Sequence, residues 1–461
     1  MSAARGRDRA STIKLWLVVV LGAFLLFNAN FREMGLADTV PATLLPASVL
    51  REGNLDLDEF RTLLAESSVD GMATLEQQVD WTQAIGEYDG HLRSAYPLGA
   101  PLLALPIYAV PAALGWFDDD FENYRLAGKL SASLLVALSA GFLFLALGRV
   151  CPARPALLLT LLYAFGTSVC TMASQALWQH GPGLFCLSAA LWLVLRSADR
   201  ESVRGALLLS VALGMSVLCR LQNVVPAFAI GAYALFLRPR HAAALLVPAA
   251  ALCSWQLCYN SAVFHDLRGG YPRIYQSEAL RAHGVTADNV FTLPLHQGLA
   301  GLLFAPSRGL FVYSPALALP FFALPVLAAR QRRSIAPFLL LWVAGTLLLF
   351  SKNRLWWGGT GYGPRYLLEI MPALVFALGM LWPALGPRLK LALAVLAVFG
   401  VLVQAVGLLN WECGWHYFPK WLEFAPERLW DWRDPEILRC TRALIRVGPQ
   451  EPTFGPWVSD E

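Results

Sequence analysis

The sequence contains few charged side chains. Asp, Glu, Lys and Arg make up 15% of its 461 residues, and hydrophobic residues make up 57%. A soluble globular chain has about a quarter charged residues, so this composition excludes an ordinary soluble domain. Repeated apolar runs of about 17 to 25 residues match a hydrocarbon core of about 30 Å that is crossed by helices. The sequence therefore predicts an all-α polytopic membrane protein.

The sequence also lacks a basic stripe and a cleavable leader. Its formal net charge is +4, but the basic residues gather in short turns, which excludes a surface for DNA or RNA. The basic N-terminus precedes an apolar run as in a signal peptide. No A-x-A-like site follows Asn28-Ala29-Asn30, and the run is long enough to span. We predict that it is retained as the first span.

No metal site is visible in the sequence. The eight cysteines form no C-x-x-C pair and no Cys/His spacing typical of zinc. Asp56, Asp58 and Glu59 could bind a divalent cation, but such a cluster is more typical of a solvated helix start. We predict no metal and no cofactor. Cys413 and Cys440 lie in the polar C-terminal tail, where an oxidising compartment would allow a disulfide.

Charge bias between the loops predicts the topology. With a cytoplasmic N-terminus, residues 31–123 form a large first extracytoplasmic loop, and residues 260–308 form a further one. The apolar segment Pro97 to Gly115 carries four prolines, and as a span it would force arginine-rich turns outside. We therefore predict an interfacial helix on the outer face, followed by an outer acidic turn at 118–120.

Eleven spans result, with the C-terminus outside. Residues 1–409 form one transmembrane domain, and residues 410–461 form an extracytoplasmic tail that is too short for a catalytic domain and is expected to pack over the outer loops. The predicted spans are Ile13 to Ala29, Arg125 to Gly148, Pro155 to Ser174, Gly181 to Leu195, Gly205 to Leu218, Pro226 to Leu237, Ala242 to Tyr259, Leu310 to Ala329, Ile335 to Phe350, Tyr366 to Trp382 and Leu391 to Leu409.

In this topology the distinctive polar motifs share the outer side. Asp38, about eight residues beyond the first span, is the leading catalytic candidate, because a carboxylate at the membrane surface can act as a general base. A helix N-cap is its alternative role, since Pro41 follows closely. In any membrane protein, polar residues lie mainly in loops, and this alone would place some of these motifs on one side.

Arginines at outer helix ends are the second signal. The charge bias disfavours Arg220, Arg308, Arg354 and Arg365 there, and guanidinium groups bind phosphate oxygens in pairs. We predict that Arg365, Arg220 and Arg308 bind a lipid phosphate, although snorkelling to lipid headgroups would also explain each one. The predicted substrate contacts are His180, Tyr96, His91, Trp357 and Tyr362.

The chain resembles the GT-C superfamily of membrane glycosyltransferases. The shared features are one long outer loop with an acid near its start, a proline-containing apolar helix and alternating spans. The branch it most resembles contains protein O-mannosyltransferases and the lipid A aminoarabinose transferase. Asp38 takes the position of the first-loop catalytic acid of that family. Tyr96-Pro97-Leu98-Gly99 is similar to the proline-rich end of the loop, without its second proline and following lysine.

The resemblance implies an inverting transfer from a polyprenyl-phosphate sugar to an extracytoplasmic acceptor in a bacterial inner membrane. It departs from the family at Trp178-Gln179-His180, which occupies the place of a second acid and leaves the acceptor open. A transporter or lipid flippase is the alternative, but the spans are largely free of Asp and Glu and no internal repeat is visible. A polymerase or ligase of lipid-linked glycans would differ only in its acceptor.

Overall fold

The computed structural model describes residues 2–64, 84–117, 120–199, 201–276, 280–281, 283–411 and 413–451. Helices dominate this part of the chain. The one sheet among the described residues is a hairpin in the first outer loop, in which Ile85–Tyr88 (β1) pairs antiparallel with His91–Ser94 (β2). The chain therefore has the all-α architecture that its composition predicts.

The bounds of the described helices follow in chain order. The α-helices are α1 Ser2–Asn28, α2 Val40–Arg51, α3 Gly99–Ala113, α4 Phe121–Leu147, α5 Ala153–Phe165, α6 His180–Asp199, α7 Val203–Cys219, α8 Val224–Leu237, α9 Ala242–Phe264, α10 Tyr271–Ile274, α11 Leu295–Phe304, α12 Leu310–Tyr313, α13 Ala318–Arg330, α14 Ala336–Ser351, α15 Met371–Leu381, α16 Pro387–Asn410 and α17 Glu436–Val447. Short 3₁₀ helices cover Ala37–Thr39, Asp58–Phe60, Leu221–Asn223, Pro239–His241, Pro315–Leu317, Arg365–Ile370, Trp382–Ala384, Leu422–Phe424 and Pro426–Trp430.

Helix α15 lies at the centre of the core, since every residue from Met371 to Gly379 is buried. Helix α4 packs against α1 and α6 and is also largely enclosed. In contrast, α1 and α16 expose large apolar side chains such as Leu25 and Leu402. Long helices with outward apolar faces are the structures that lipid requires, and the chain is a multi-pass membrane protein.

Helix length confirms part of the predicted set of spans. In the described part of the chain, 6 helices are long and apolar enough to cross a membrane: Ser11–Asn28, Phe121–Leu147, His180–Asp199, Pro239–Phe264, Arg365–Ala384 and Pro387–Asn410. The remaining predicted spans fall on the shorter apolar helices Ala153–Phe165, Val203–Cys219, Leu221–Leu237, Pro315–Arg330 and Ala336–Ser351. The total of eleven spans stays a prediction.

Two predicted spans are interrupted. The segment Pro155 to Ser174 is helical only to Phe165, and a buried π-helical turn, Val169–Ala173, follows. The segment Leu310 to Ala329 breaks at Ser314, whose φ of −142° and ψ of 65° are not helical. Pro315 explains this second break, because a proline ring disfavours helical backbone in the residue before it.

The described part of the predicted first extracytoplasmic loop packs onto the ends of the spans. Helices α2 and α3 lie against each other, and Tyr108 packs with Tyr124 of α4 beneath them. Helix α3 has 15 residues, which gives about 22 Å, less than the hydrocarbon thickness. Its interfacial position stays a prediction. Within the acidic turn that was predicted to follow it, Asp118 and Asp119 lie outside the described residues.

Candidate active site

A cavity of about 410 Å³ opens where the first outer loop, the ends of several helices and the C-terminal tail meet. Its walls combine charged groups with many aromatic rings. Polar groups that converge in an apolar pocket are the usual form of a ligand site. Of the residues predicted from the sequence, the cavity is lined by Asp38, Tyr96, His180, Arg220, Trp357 and Arg365.

Asp38 lies on the short helix Ala37–Thr39, immediately before α2. Its carboxylate accepts hydrogen bonds from the Tyr96 hydroxyl at 2.7 Å and from Arg365 Nη1 at 3.1 Å. The alternative role as a helix cap is not seen, because the Asp38 side chain caps neither helix at this point. The Asp38 side chain is 36% exposed and remains open to the cavity.

Arg365 is enclosed by rings and glycine backbone. Its guanidinium carbon lies 4.8 Å from the centroid of the Trp178 ring. Gly358 and Gly359 have φ of +77° and +70°, and a Cβ at Gly358 would lie 3.5 Å from Arg365 Nε. Glycine adopts such left-handed backbone without the strain that other residues would incur. The glycine run Gly358 to Gly363 thus allows the chain to turn closely around a buried cation.

Arg220 and His180 share a buried acid that the sequence analysis missed. Glu369 accepts a hydrogen bond from Arg220 Nη1 at 2.7 Å through one oxygen, and its other oxygen lies 2.7 Å from His180 Nδ1. All three side chains are almost fully buried. Glu369 lies within a predicted span, and an acid in a span is a sequence signal for a functional residue. The description of the spans as largely free of acids needs this correction.

Tyr96 connects the first outer loop to the cavity floor. Burial, followed by the nearby charge of Asp38, raises the pKa of its hydroxyl well above the usual value. The hydroxyl therefore stays protonated and donates to Asp38. The Tyr96 ring meets the edge of Tyr271 with centroids 6.1 Å apart, and the Tyr271 hydroxyl donates to Gln179 at 3.4 Å. These contacts orient the Asp38 carboxylate.

Three residues predicted for the site do not line the cavity. Arg308 is fully buried and pairs with Glu436 of the tail. The Tyr362 hydroxyl donates to the Val403 carbonyl at 2.9 Å. His91 lies on the exposed hairpin, where its Nδ1 is 2.6 Å from Asp58. Arg354, the fourth outer arginine, donates to the carbonyls of His283 and Gly284.

One group of metal-ligand side chains occurs among the described residues. Atoms of Asp56, Asp58 and His91 lie within 4.8 Å of one another on the outer loop. Arginines already neutralise both acids, since Arg61 lies 3.0 Å from Asp58 and Arg93 lies 3.6 Å from Asp56. These side chains therefore form an ion-pair network with Arg61 and Arg93.

The C-terminal tail forms one wall of the cavity. We call Tyr417, Phe418, Trp421 and Glu423 the tail wall; all four line the cavity. The disulfide that the sequence allows is present between Cys413 and Cys440, so it closes a loop that contains the whole tail wall. The tail thus packs at the same end of the membrane domain as Asp38. Its extracytoplasmic position stays a prediction.

Residues 121–257 match the family model described as dolichyl-phosphate-mannose-protein mannosyltransferase. Two crystal structures of ArnT from Cupriavidus metallidurans also resemble the chain, each at 16% identity. The structure bound to undecaprenyl phosphate has a TM-score of 0.50, and the apo structure has a TM-score of 0.51. The fold is of the GT-C type.

The GT-C resemblance predicted from the sequence is thereby confirmed at the level of the fold. The similarity covers 87% and 88% of this chain but only 66% and 67% of the two ArnT chains. The chain therefore spans about two thirds of the length of ArnT. No curated protein matches it.

Proposed function

We propose that the chain is an inverting glycosyltransferase. It transfers a sugar from a polyprenyl-phosphate donor to an extracytoplasmic lipid, glycan or protein, in a bacterial inner membrane with the N-terminus cytoplasmic and the tail outside. The observation that carries the proposal is the 3.1 Å contact between Asp38 and Arg365 within one cavity. The GT-C fold and the undecaprenyl phosphate bound to ArnT support a lipid-linked donor.

The proposed reaction assigns one task to each charged group. Arg365, assisted by Arg220, binds the donor phosphate in place of its present partner, which frees the Asp38 carboxylate. Asp38 then takes the proton of the acceptor hydroxyl while that oxygen attacks the anomeric carbon. The bond from this carbon to the phosphate oxygen breaks, and its electron pair leaves with the phosphate. Attack opposite the leaving group inverts the anomeric centre.

Unpartnered donors favour a ligand rich in oxygen atoms. Among the described residues that line the cavity, Gln179 Nε2, Trp357 Nε1 and Arg365 Nε are buried without a hydrogen-bond partner. Leaving such donors unsatisfied costs about 1–3 kcal/mol each, and phosphate or sugar oxygens would relieve that cost. The proposed partners are the donor, membrane lipids and the acceptor. The proposal includes no nucleic acid and no cofactor.

Turnover by the purified protein tests the proposal. The assay measures phosphate-lipid release from undecaprenyl phosphate that carries mannose, glucose or galactose, with membrane lipid extract as the source of acceptors. Asp38→Asn is expected to lower release at least 100-fold, within the range of general-base contributions. Asp58→Asn, which changes an acid of the same loop outside the cavity, is the matched control.

Three outcomes oppose the proposal or one part of it. Equal release by Asp38→Asn and wild type would remove Asp38 as the base. Movement of the labelled lipid across a vesicle membrane without phosphate release would instead support a transporter or flippase. Loss of activity in EDTA that added Mg²⁺ restores would contradict the cofactor-free reaction.

A further inference from the structure

The tail wall brings a second carboxyl group into the cavity. Glu423 lies on the short helix Leu422–Phe424 and lines the cavity together with Asp38 and Arg365. These two charges are close enough to act on it electrostatically. The proposed mechanism uses Asp38 and leaves Glu423 without a task.

Glu423 is partly buried, and it differs from the buried acids of the chain by its lack of a protein partner. Glu369 pairs with Arg220, Glu436 pairs with Arg308, and Glu33 pairs with Arg125 at 3.0 Å. Across the described residues, the Glu423 carboxylate forms neither a hydrogen bond nor an ion pair. Partial removal of an unpaired carboxyl group from water is unfavourable, so such groups in a cavity commonly serve function.

Charge determines which part of a phosphosugar this carboxylate fits. A carboxylate next to the donor phosphate would be repelled, whereas Arg365 attracts that phosphate. Hydroxyl groups are suitable partners, since an ionised carboxylate accepts several hydrogen bonds from them. The aromatic side chains of Tyr417 and Trp421 beside Glu423 offer flat apolar faces to the C–H bonds of a sugar ring.

We propose that Glu423 is a specificity-determining residue that binds hydroxyl groups of the transferred sugar. This inference rests on the proposed function, because it takes a polyprenyl-phosphate sugar as the ligand. The tail wall then distinguishes a donor with a sugar from the spent lipid phosphate. Release of the product follows from the loss of this contact.

Binding experiments test the assignment without turnover. Affinities are measured by intrinsic tryptophan fluorescence for undecaprenyl phosphate and for the same lipid carrying mannose, glucose or galactose. For the sugar that wild type binds most tightly, Glu423→Ala is expected to weaken binding about 10- to 100-fold, the loss typical of hydrogen bonds to a charged group. Its affinity for sugar-free undecaprenyl phosphate is expected to be unchanged or higher.

Matched variants separate a binding role from a structural one. Glu427→Ala changes an exposed acid of the next short helix and is expected to bind both lipids as wild type does. Glu423→Gln keeps the size of the side chain and is expected to lose affinity for the sugar-bearing lipid only. An equal loss for both lipids in Glu423→Ala and Glu423→Gln would overturn the inference.

The same measurements distinguish this inference from the proposed function. If Glu423→Ala loses affinity only for the sugar-bearing lipid while wild type releases no phosphate, the Glu423 assignment is supported and the transferase activity is contradicted. If wild type turns over the donor and Glu423→Ala keeps its sugar selectivity, the transferase activity is supported and the Glu423 assignment is contradicted. A wild type that binds no sugar-bearing lipid more tightly than undecaprenyl phosphate would overturn the Glu423 assignment.

Discussion

Arg308 and Glu436 form a fully buried ion pair, with 2.6 Å between Nη1 and Oε2. Glu436 begins α17 in the tail, and it also accepts a hydrogen bond from the Tyr313 hydroxyl. Although burial opposes ionisation, the charges of Arg308 and His416 hold the pKa of Glu436 below its usual value. This pair therefore fixes the tail, and with it the tail wall, to the membrane domain.

Breaking this pair should release the tail. Arg308→Met leaves the Glu436 carboxylate buried without its cation, which is expected to cost about 3–5 kcal/mol. The measurements are the melting temperature in detergent and the rate of protease cleavage between Cys413 and Cys440. Arg268→Met, which removes an exposed ion pair with Asp266, is the control and should change stability by less than about 1 kcal/mol. A tail that stays resistant to protease in Arg308→Met would contradict this anchoring role.

Reduction of the disulfide should loosen the tail wall. The bond joins residues separated by 27 positions, for which loop-closure entropy predicts about 3–4 kcal/mol of stabilisation. We expect Cys440→Ser, or wild type in dithiothreitol, to bind the sugar-bearing lipid more weakly and to be cleaved faster in the tail. Cys258→Ser, at an exposed free cysteine, is the control. Unchanged affinity and cleavage after complete reduction would refute the prediction.

The unpaired carboxyl group of Glu423 should make stability depend on pH. Burial, and then the charge of Asp38, raise its pKa from 4.5 to about 7, and Arg365 opposes the shift. The folded chain therefore holds this proton to a higher pH than the unfolded chain. Stability falls as the pH rises from about 4.5 to 7, by at most about 3 kcal/mol, and the penalty is complete above that range.

We therefore expect Glu423→Gln to melt at a higher temperature than wild type at pH 8 and at the same temperature at pH 4. Melting curves in detergent at both values check this. Glu427→Gln should behave as wild type at both. If Glu423→Gln shifts the melting temperature equally at pH 4 and pH 8, the side chain does not titrate as stated.

Loss of the Tyr96 hydroxyl should slow transfer without unfolding the chain. Tyr96→Phe keeps the ring contact with Tyr271 but removes the 2.7 Å hydrogen bond to Asp38. A hydrogen bond to a charged group contributes about 1.5–3 kcal/mol, so a fall in kcat of about 10- to 100-fold is expected. Tyr88→Phe, on the outer hairpin, is the control. Wild-type kcat in Tyr96→Phe would show that this bond does not orient the base.

Hydropathy predicts the positions of the helices well but not their interruptions. Each predicted span overlaps an apolar helix because apolar length alone defines a candidate crossing. The segment after Phe165 belongs to the same predicted span, yet it folds as the buried turn Val169–Ala173. Its backbone is enclosed by protein instead of lipid. Whether a segment contacts protein or lipid depends on tertiary packing and cannot be deduced from the periodicity of the sequence.

The site could be predicted as a set of residues but not as a set of partners. Asp38 and Arg365 were recognisable from their positions near the outer surface, and they do meet. Arg308 has the same sequence signature as Arg365, but it pairs with Glu436, 128 residues later. Contacts between distant segments determine which arginine lines the cavity and which is buried against the tail.

Asp38 and the tail wall reach the cavity from opposite ends of the described chain. Because a ribosome makes the N-terminal part first, Asp38 is synthesised long before Glu423. Until the tail has been synthesised, the cavity lacks the tail wall and is open on that side. Any chemistry that needs the enclosed cavity therefore begins only after the tail has been synthesised. A chain truncated before the tail would not carry out that chemistry.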